Sequence, residues 1–125
     1  VQYAYARINS IFRILDINID NNITLQQGEN FSFNFHETQI LKKISEWPRC
    51  IELSINKLEP HRIVYYLYDL ATIFHFYWNL GKENSNLKFI NDNKAKNSSL
   101  LILKSLVIVL ENGMKILGVS LPKRM

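Results

Sequence analysis

The chain has little of what enzymes and secreted scaffolds depend on. Its 125 residues include one cysteine, Cys50, so an internal disulfide is excluded; with no CxxC pair and no Cys/His cluster, a structural zinc site is excluded as well. A solitary thiol points to a reducing, cytoplasmic compartment. The four glycines, Gly28, Gly81, Gly113 and Gly118, are scattered, so no glycine-rich loop is available to cradle a phosphate. Three histidines, His36, His61 and His75, are the only side chains suited to acid–base work at neutral pH, and none lies at a triad or dyad spacing from Ser, Cys or a carboxylate. No catalytic residue, metal or cofactor is therefore assigned within these residues. The longest apolar run, Leu100 to Leu110, is broken by Lys104 and Ser105 and falls short of the ~20 residues of a membrane span, so no membrane partner is expected. A basic-then-apolar leader is missing and Val1 is not an initiator methionine, which reads as a chain cut from something longer.

What is present is helical. Ala4, Ile8, Ile11 and Leu15 recur at helical spacing and predict a helix from Gln2 to about Leu15. Asn18 to Asn30 is polar, contains Gly28 and reads as a long surface loop. Asn34 with Glu37 three residues on has the form of a capping box, followed by Ile40, Leu41, Ile44 and Trp47 in a short helix stopped before Pro48. A second short helix is expected from Pro48 to Asn56. Pro60 opens the longest pattern: Ile63, Leu67, Leu70, Phe74 and Tyr77 share one face of a helix expected to end near Gly81. Leu87, Phe89 and Ile90 in the following loop are expected to tuck against the body. The last helix is expected from about Ala95 to Leu117, stopped by Gly118 with Pro122 beyond. Only Phe31, Phe33 and Phe35 alternate with a strand-like period. The fold class is all-α, one helical bundle of about five helices spanning residues 1–125.

Charge suits a polyanion without requiring one. Fifteen Lys and Arg against eleven Asp and Glu give a net charge of +4 and an isoelectric point near 9.2. Lys42, Lys43, Arg49, Arg62, Lys82, Lys123 and Arg124 are candidate phosphate contacts. The run Phe74, His75, Phe76, Tyr77, Trp78 must turn some rings outward, since consecutive helical residues point around the axis, and exposed rings beside cations are what single-stranded RNA bases stack on. Tyr3 and Arg7, four apart, share a helical face at the flank of the apolar stripe. On residue type alone these features also fit core aromatics with a surface cation, and a helical protein-interaction module without nucleic-acid binding stays open as the alternative.

The residue order supplies the discrimination. Val1-Gln2-Tyr3-Ala4-Tyr5-Ala6-Arg7-Ile8 resembles the V-Q-Y-A-H-A-R-I segment that opens the C-terminal, DALR-type anticodon-binding domain of bacterial-type arginyl-tRNA synthetases, departing from it at Tyr5. Glu59-Pro60-His61-Arg62 with Tyr66-Leu67 and Asp69-Leu70-Ala71 resembles that family's E-P-H-x-x-x-x-Y-L-x-D-L-A. Phe74-His75, Trp78-Asn79 and Gly81 resemble its F-H-x-x-W-N-x-G, and Leu117-Gly118-Val119, Pro122 and Met125 its closing L-G-V-x-x-P-x-x-M. The resemblance covers the chain apart from Asn18 to Phe35 and Gly81 to Lys96. It implies a helical domain that docks on the anticodon stem-loop of arginine tRNA and packs against the catalytic domain of a monomeric parent enzyme, with no DNA partner. That parent would ligate arginine to its tRNA using ATP with magnesium in an upstream core, whose HIGH-type and KMSK-type motifs do not occur here. It further implies tRNA-binding roles for Tyr3, Arg7, His75, Trp78, Arg124 and Met125.

Overall fold

The computed structural model describes residues 1–18, 33–84 and 97–124. Among these residues five helices run in chain order: α1 (Gln2–Ile14), α2 (Phe35–Ser45), α3 (Trp47–Asn56), α4 (His61–Glu83) and α5 (Asn97–Leu117). Most of the polar Asn18 to Asn30 stretch, together with Phe31, Leu87, Phe89, Ile90 and Met125, lies outside the described residues.

The expected stripe of α1 is buried at Ala4, Ile8 and Ile11, with Tyr5, Ala6 and Phe12 widening it. The helix ends where Asp16 takes a left-handed φ of 54°, a conformation a short polar side chain tolerates better than most. At the start of α2 the capping box is present in full: the Asn34 side chain accepts from the Glu37 amide at 2.8 Å, and the Glu37 carboxylate accepts from the Asn34 amide at 3.2 Å. The same Asn34 donates to the Tyr77 hydroxyl at 3.0 Å and so ties the cap to α4.

One residue, Glu46, separates α2 from α3. Pro48 has no N–H to give the Ile44 carbonyl and its ring would strike that carbonyl, so one straight helix cannot continue through it. The break falls at Glu46, and Trp47, expected to close α2, instead opens α3 and stacks on Tyr66 with ring centroids 5.2 Å apart.

The longest helix, α4, buries Ile63, Tyr66, Leu67, Leu70, Ala71, Phe74, Tyr77 and Gly81. Gly81 does not end it. This glycine lies buried in the last turns, and the helix runs on to Glu83. Gly118 does what Gly81 was expected to do: at φ 73° it turns the chain out of α5, and the Val119 amide closes on the Met114 carbonyl at 2.9 Å. In α5, Gly113 allows a close approach to α4, because a Cβ there would stand 2.6 Å from a Leu67 methyl. The core is continuous across the bundle, with Ile8, Ile11, Ile40, Leu67, Leu70, Phe74, Ile102, Leu103, Leu106 and Leu110 almost wholly excluded from solvent. No helix among the described residues is long and apolar enough to cross a membrane.

Candidate functional site

On the outer side of α1 a second set of positions, Tyr3, Arg7, Ser10 and Ile14, recurs at intervals of four and three and so shares a face beside the buried stripe. This face meets Trp78 of α4 and Arg124 of the segment after α5, and together with Ala6, Ile11 and Arg13 they line a cleft of about 350 Å³. Four of the six residues singled out from the sequence fall into one cluster. The Arg7 guanidinium donates to the Tyr3 hydroxyl at 2.8 Å, and its carbon stands 4.8 Å from the Tyr3 ring centre and 5.2 Å from that of Trp78, within cation–π range of both. Tyr3 leans on His75 at 5.5 Å. Phe74 in the core backs both His75 and Trp78, with centroids 5.4 and 6.4 Å away, so the cluster rests on a buried support. Tyr3 is 52% exposed, which leaves much of its ring accessible from outside. Arg124 is exposed and lines the same cleft; Met125 lies outside the described residues.

Burial lowers the pKa of His75, and the nearby Arg7 charge lowers it further. The imidazole is therefore neutral at pH 7 and behaves as a ring, adding no charge to the cluster. Tyr5, the departure from the family segment, is not in the cleft. It is 4% exposed, and its hydroxyl donates to Glu111 of α5 at 2.7 Å. The substitution therefore affects how α1 is held to α5 and leaves the cleft lining alone.

Among the described residues the cleft charge is uncompensated. Arg7, Arg13 and Arg124 all line the cleft, no described carboxylate lines it, and none of the ion pairs among the described residues involves these three. A second cleft of about 430 Å³, between α2, α3 and the first half of α4, looks alike by composition. It is lined by Lys43, Arg49 and Arg62 with Tyr65 and Tyr66, but also by Glu46 and Asp69. Lys43 pairs with Glu46 at 3.4 Å and Asp69 at 3.9 Å, and Arg49 pairs with Glu52 at 3.4 Å. The Arg62 side chain donates to Glu59 and holds that carboxyl below its ordinary pKa. Of the seven basic residues offered as phosphate contacts, Lys43, Arg49 and Arg62 are thus already paired, while Lys42, Lys82, Lys123 and Arg124 have no carboxylate partner among the described residues.

Arg13, Ser10 and Ile14 were not singled out as site residues from the sequence, although the interval linking Tyr3, Arg7, Ser10 and Ile14 was legible there. The remaining histidines sit among rings: His36 near Phe35, Phe76 and Tyr77, His61 near Tyr65. No group of three or more His, Cys, Asp or Glu side chains that could hold a metal ion is found among the described residues.

The chain is a member of the DALR anticodon binding domain family, whose model matches residues 1–125. More particularly, it is similar to arginine–tRNA ligases. It is 48% identical over 126 residues to that of Pelagibacter ubique, with all of the chain covered, and 41% identical over 133 residues to that of Allorhizobium ampelinum, again with all of it covered. To the enzyme of Ruegeria pomeroyi it is 38% identical over 125 residues, with 96% of the chain covered. The chain spans 22% of the length of each of these relatives.

Proposed function

We propose that the chain is the anticodon-binding domain of an arginyl-tRNA synthetase and that it grips the anticodon loop of arginine tRNA in the cleft between α1, Trp78 and Arg124. The observation that carries this is the coincidence of the family with a cleft that no acid among the described residues lines and in which the Arg7 guanidinium lies against two rings. Bases in an RNA loop are unstacked, so a ring can take a base face while a guanidinium reaches a base edge or a phosphate. Tyr3 and Trp78 supply the rings, Arg7 the base-reading group, His75 a neutral backing ring for Tyr3, and Arg124 a wall from the C-terminal side, with Met125 proposed as a further RNA contact. Phosphates along the stem would meet Lys42, Lys82 and Lys123, which steer and hold without reading sequence.

The parent polypeptide, on the same proposal, acts in the cytoplasm as a monomer. It holds ATP with magnesium and arginine in a separate catalytic domain, against which this bundle packs. These residues bind and orient the tRNA and perform no bond chemistry. Titration of labelled arginine tRNA, with a plain RNA duplex as control, tests the assignment. Tighter binding of the tRNA is expected, with affinity falling as salt rises by somewhat under one log–log unit per phosphate contact. Equal affinity for tRNA and duplex, or affinity indifferent to salt, would reject it in favour of a protein-interaction module.

A further inference from the structure

The segment that follows α5 is laced along α1 at two points. The Gln2 side-chain amide donates to the Ser120 carbonyl at 3.2 Å, and the Arg13 guanidinium donates to the Lys123 carbonyl at 3.0 Å. Both donors sit on α1 and both acceptors on the tail, in the same order along each, so the tail runs parallel to the helix. Eleven residues of helix rise about 16 Å, while the three steps from Ser120 to Lys123 cover at most about 10 Å; the long Gln and Arg side chains bridge the difference. Leu121 adds an apolar anchor against the core, and Pro122 fixes one φ. No backbone–backbone hydrogen bond among the described residues is donated by the amides of Ser120, Leu121, Lys123 or Arg124, and Pro122 has no N–H to give. Beyond the turn at Gly118, the course of the tail therefore depends on these side-chain restraints.

We infer that Arg13 is a positioning residue: by holding the Lys123 carbonyl it sets the place from which the next residue, Arg124, reaches the cleft. This rests on the proposed anticodon-binding role of that cleft and adds a residue that acts through the tail. Two features favour it. Arg13 has no carboxylate partner among the described residues to hold its guanidinium elsewhere, and Arg13 and Arg124 line the same cleft. An exposed guanidinium bonded to a carbonyl is worth little to the stability of a bundle with this much core, so its effect should show in binding more than in melting.

The test is a double-mutant cycle in the full-length polypeptide, with each variant first shown by circular dichroism and melting to be folded. Arg13→Ala and Arg124→Ala should each weaken binding of arginine anticodon stem-loop RNA, Arg13→Ala by about fivefold, the order of one net hydrogen bond. The double variant should be no weaker than the weaker single variant, because Arg13 has nothing left to place once Arg124 is gone. Arg13→Lys should recover part of the loss. Multiplying effects would mean that Arg13 touches the RNA itself, and an unaffected Arg124→Ala would mean that the tail places nothing of consequence; either result overturns the inference. A second measurement needs no RNA. Trypsin should cleave after Lys123 severalfold faster in Arg13→Ala than in the parent, and an unchanged rate also overturns it. If the parent fails to bind the stem-loop while the trypsin rate still rises, the strap stands and the function assigned to the cleft falls.

Discussion

Two clefts flank α4, and by residue type they are near twins: one offers Arg7, Arg13 and Arg124 beside Tyr3 and Trp78, the other Lys43, Arg49 and Arg62 beside Tyr65 and Tyr66. The difference lies in what neutralises the cations. At the second cleft Glu46 and Asp69 of the lining pair with Lys43, and Glu52 and Glu59 beside it pair with Arg49 and Arg62, whereas no acid among the described residues lines the first, where the Arg7 and Arg13 guanidinium groups rest on rings, a hydroxyl and a backbone carbonyl. Each pair in the second cleft is a surface pair worth little to stability. Its consequence is a local field close to neutral, which gives a polyanion small reason to settle there. A tally of basic residues does not find the candidate interface; a tally of basic residues without acidic neighbours does.

The comparison breaks most readily at Arg7. Arg7→Ala should cost RNA binding about 1–3 kcal/mol, the range for a base-edge contact, whereas Arg49→Ala in the second cleft should leave affinity within about twofold, both read by fluorescence anisotropy. Equal losses would mean that the pairing of charges does not separate the clefts. A smaller effect comes from making the first cleft resemble the second. Ser10→Glu places a carboxylate on the cleft face of α1 and should weaken binding by on the order of 1 kcal/mol, the scale of a near-surface charge interaction, with a shallower salt dependence. The smallest effect is on pH. Burial and Arg7 hold the His75 pKa below its unfolded value, so between the two values the unfolded chain binds more protons and stability rises with pH. Thermal midpoints should therefore fall slightly as pH drops from 7 through the ordinary histidine range and level off once the folded protein is protonated too, and His75→Gln should flatten that slope. A midpoint that rises on acidification over this window, and does so only when His75 is present, would contradict the sign.

Much of the fold was legible because its signals are local. The buried positions of α1 and α4 follow a helical period, the Asn34–Glu37 capping box is a four-residue pattern, and Gly118 sits where a left-handed turn ends a helix. Gly81 was misread because a glycine's cap role depends on whether the chain turns left-handed there, and a buried glycine inside a continuing helix looks the same in sequence. Trp47 was placed on the wrong side of the α2–α3 break because proline forbids one straight helix without fixing which preceding residue yields. For the site, Tyr3, Arg7, His75 and Trp78 do converge, yet nothing in their spacing within the sequence specifies that α1 and the end of α4 lie side by side; that is a matter of tertiary packing. The ion pairs of the second cleft were in part readable, since Lys43 and Glu46, Arg49 and Glu52, and Glu59 and Arg62 stand three apart on helices or at a helix start. The Asp69 contact and the tail carbonyl that holds Arg13 come from distant parts of the chain and needed the structure.

The claim that the first cleft reads bases, and does not merely attract phosphate, is tested most directly by discrimination between two loops. Affinities of the full-length polypeptide should be measured for an arginine-type anticodon stem-loop and for the same stem-loop with its central cytosine changed, in the parent, Arg7→Ala and Lys42→Ala, each confirmed folded. The account predicts that the parent prefers the arginine-type loop, that Lys42→Ala weakens both loops about equally and keeps the preference, and that Arg7→Ala loses most of it. A folded Arg7→Ala that discriminates as well as the parent would contradict the account and move base reading away from α1.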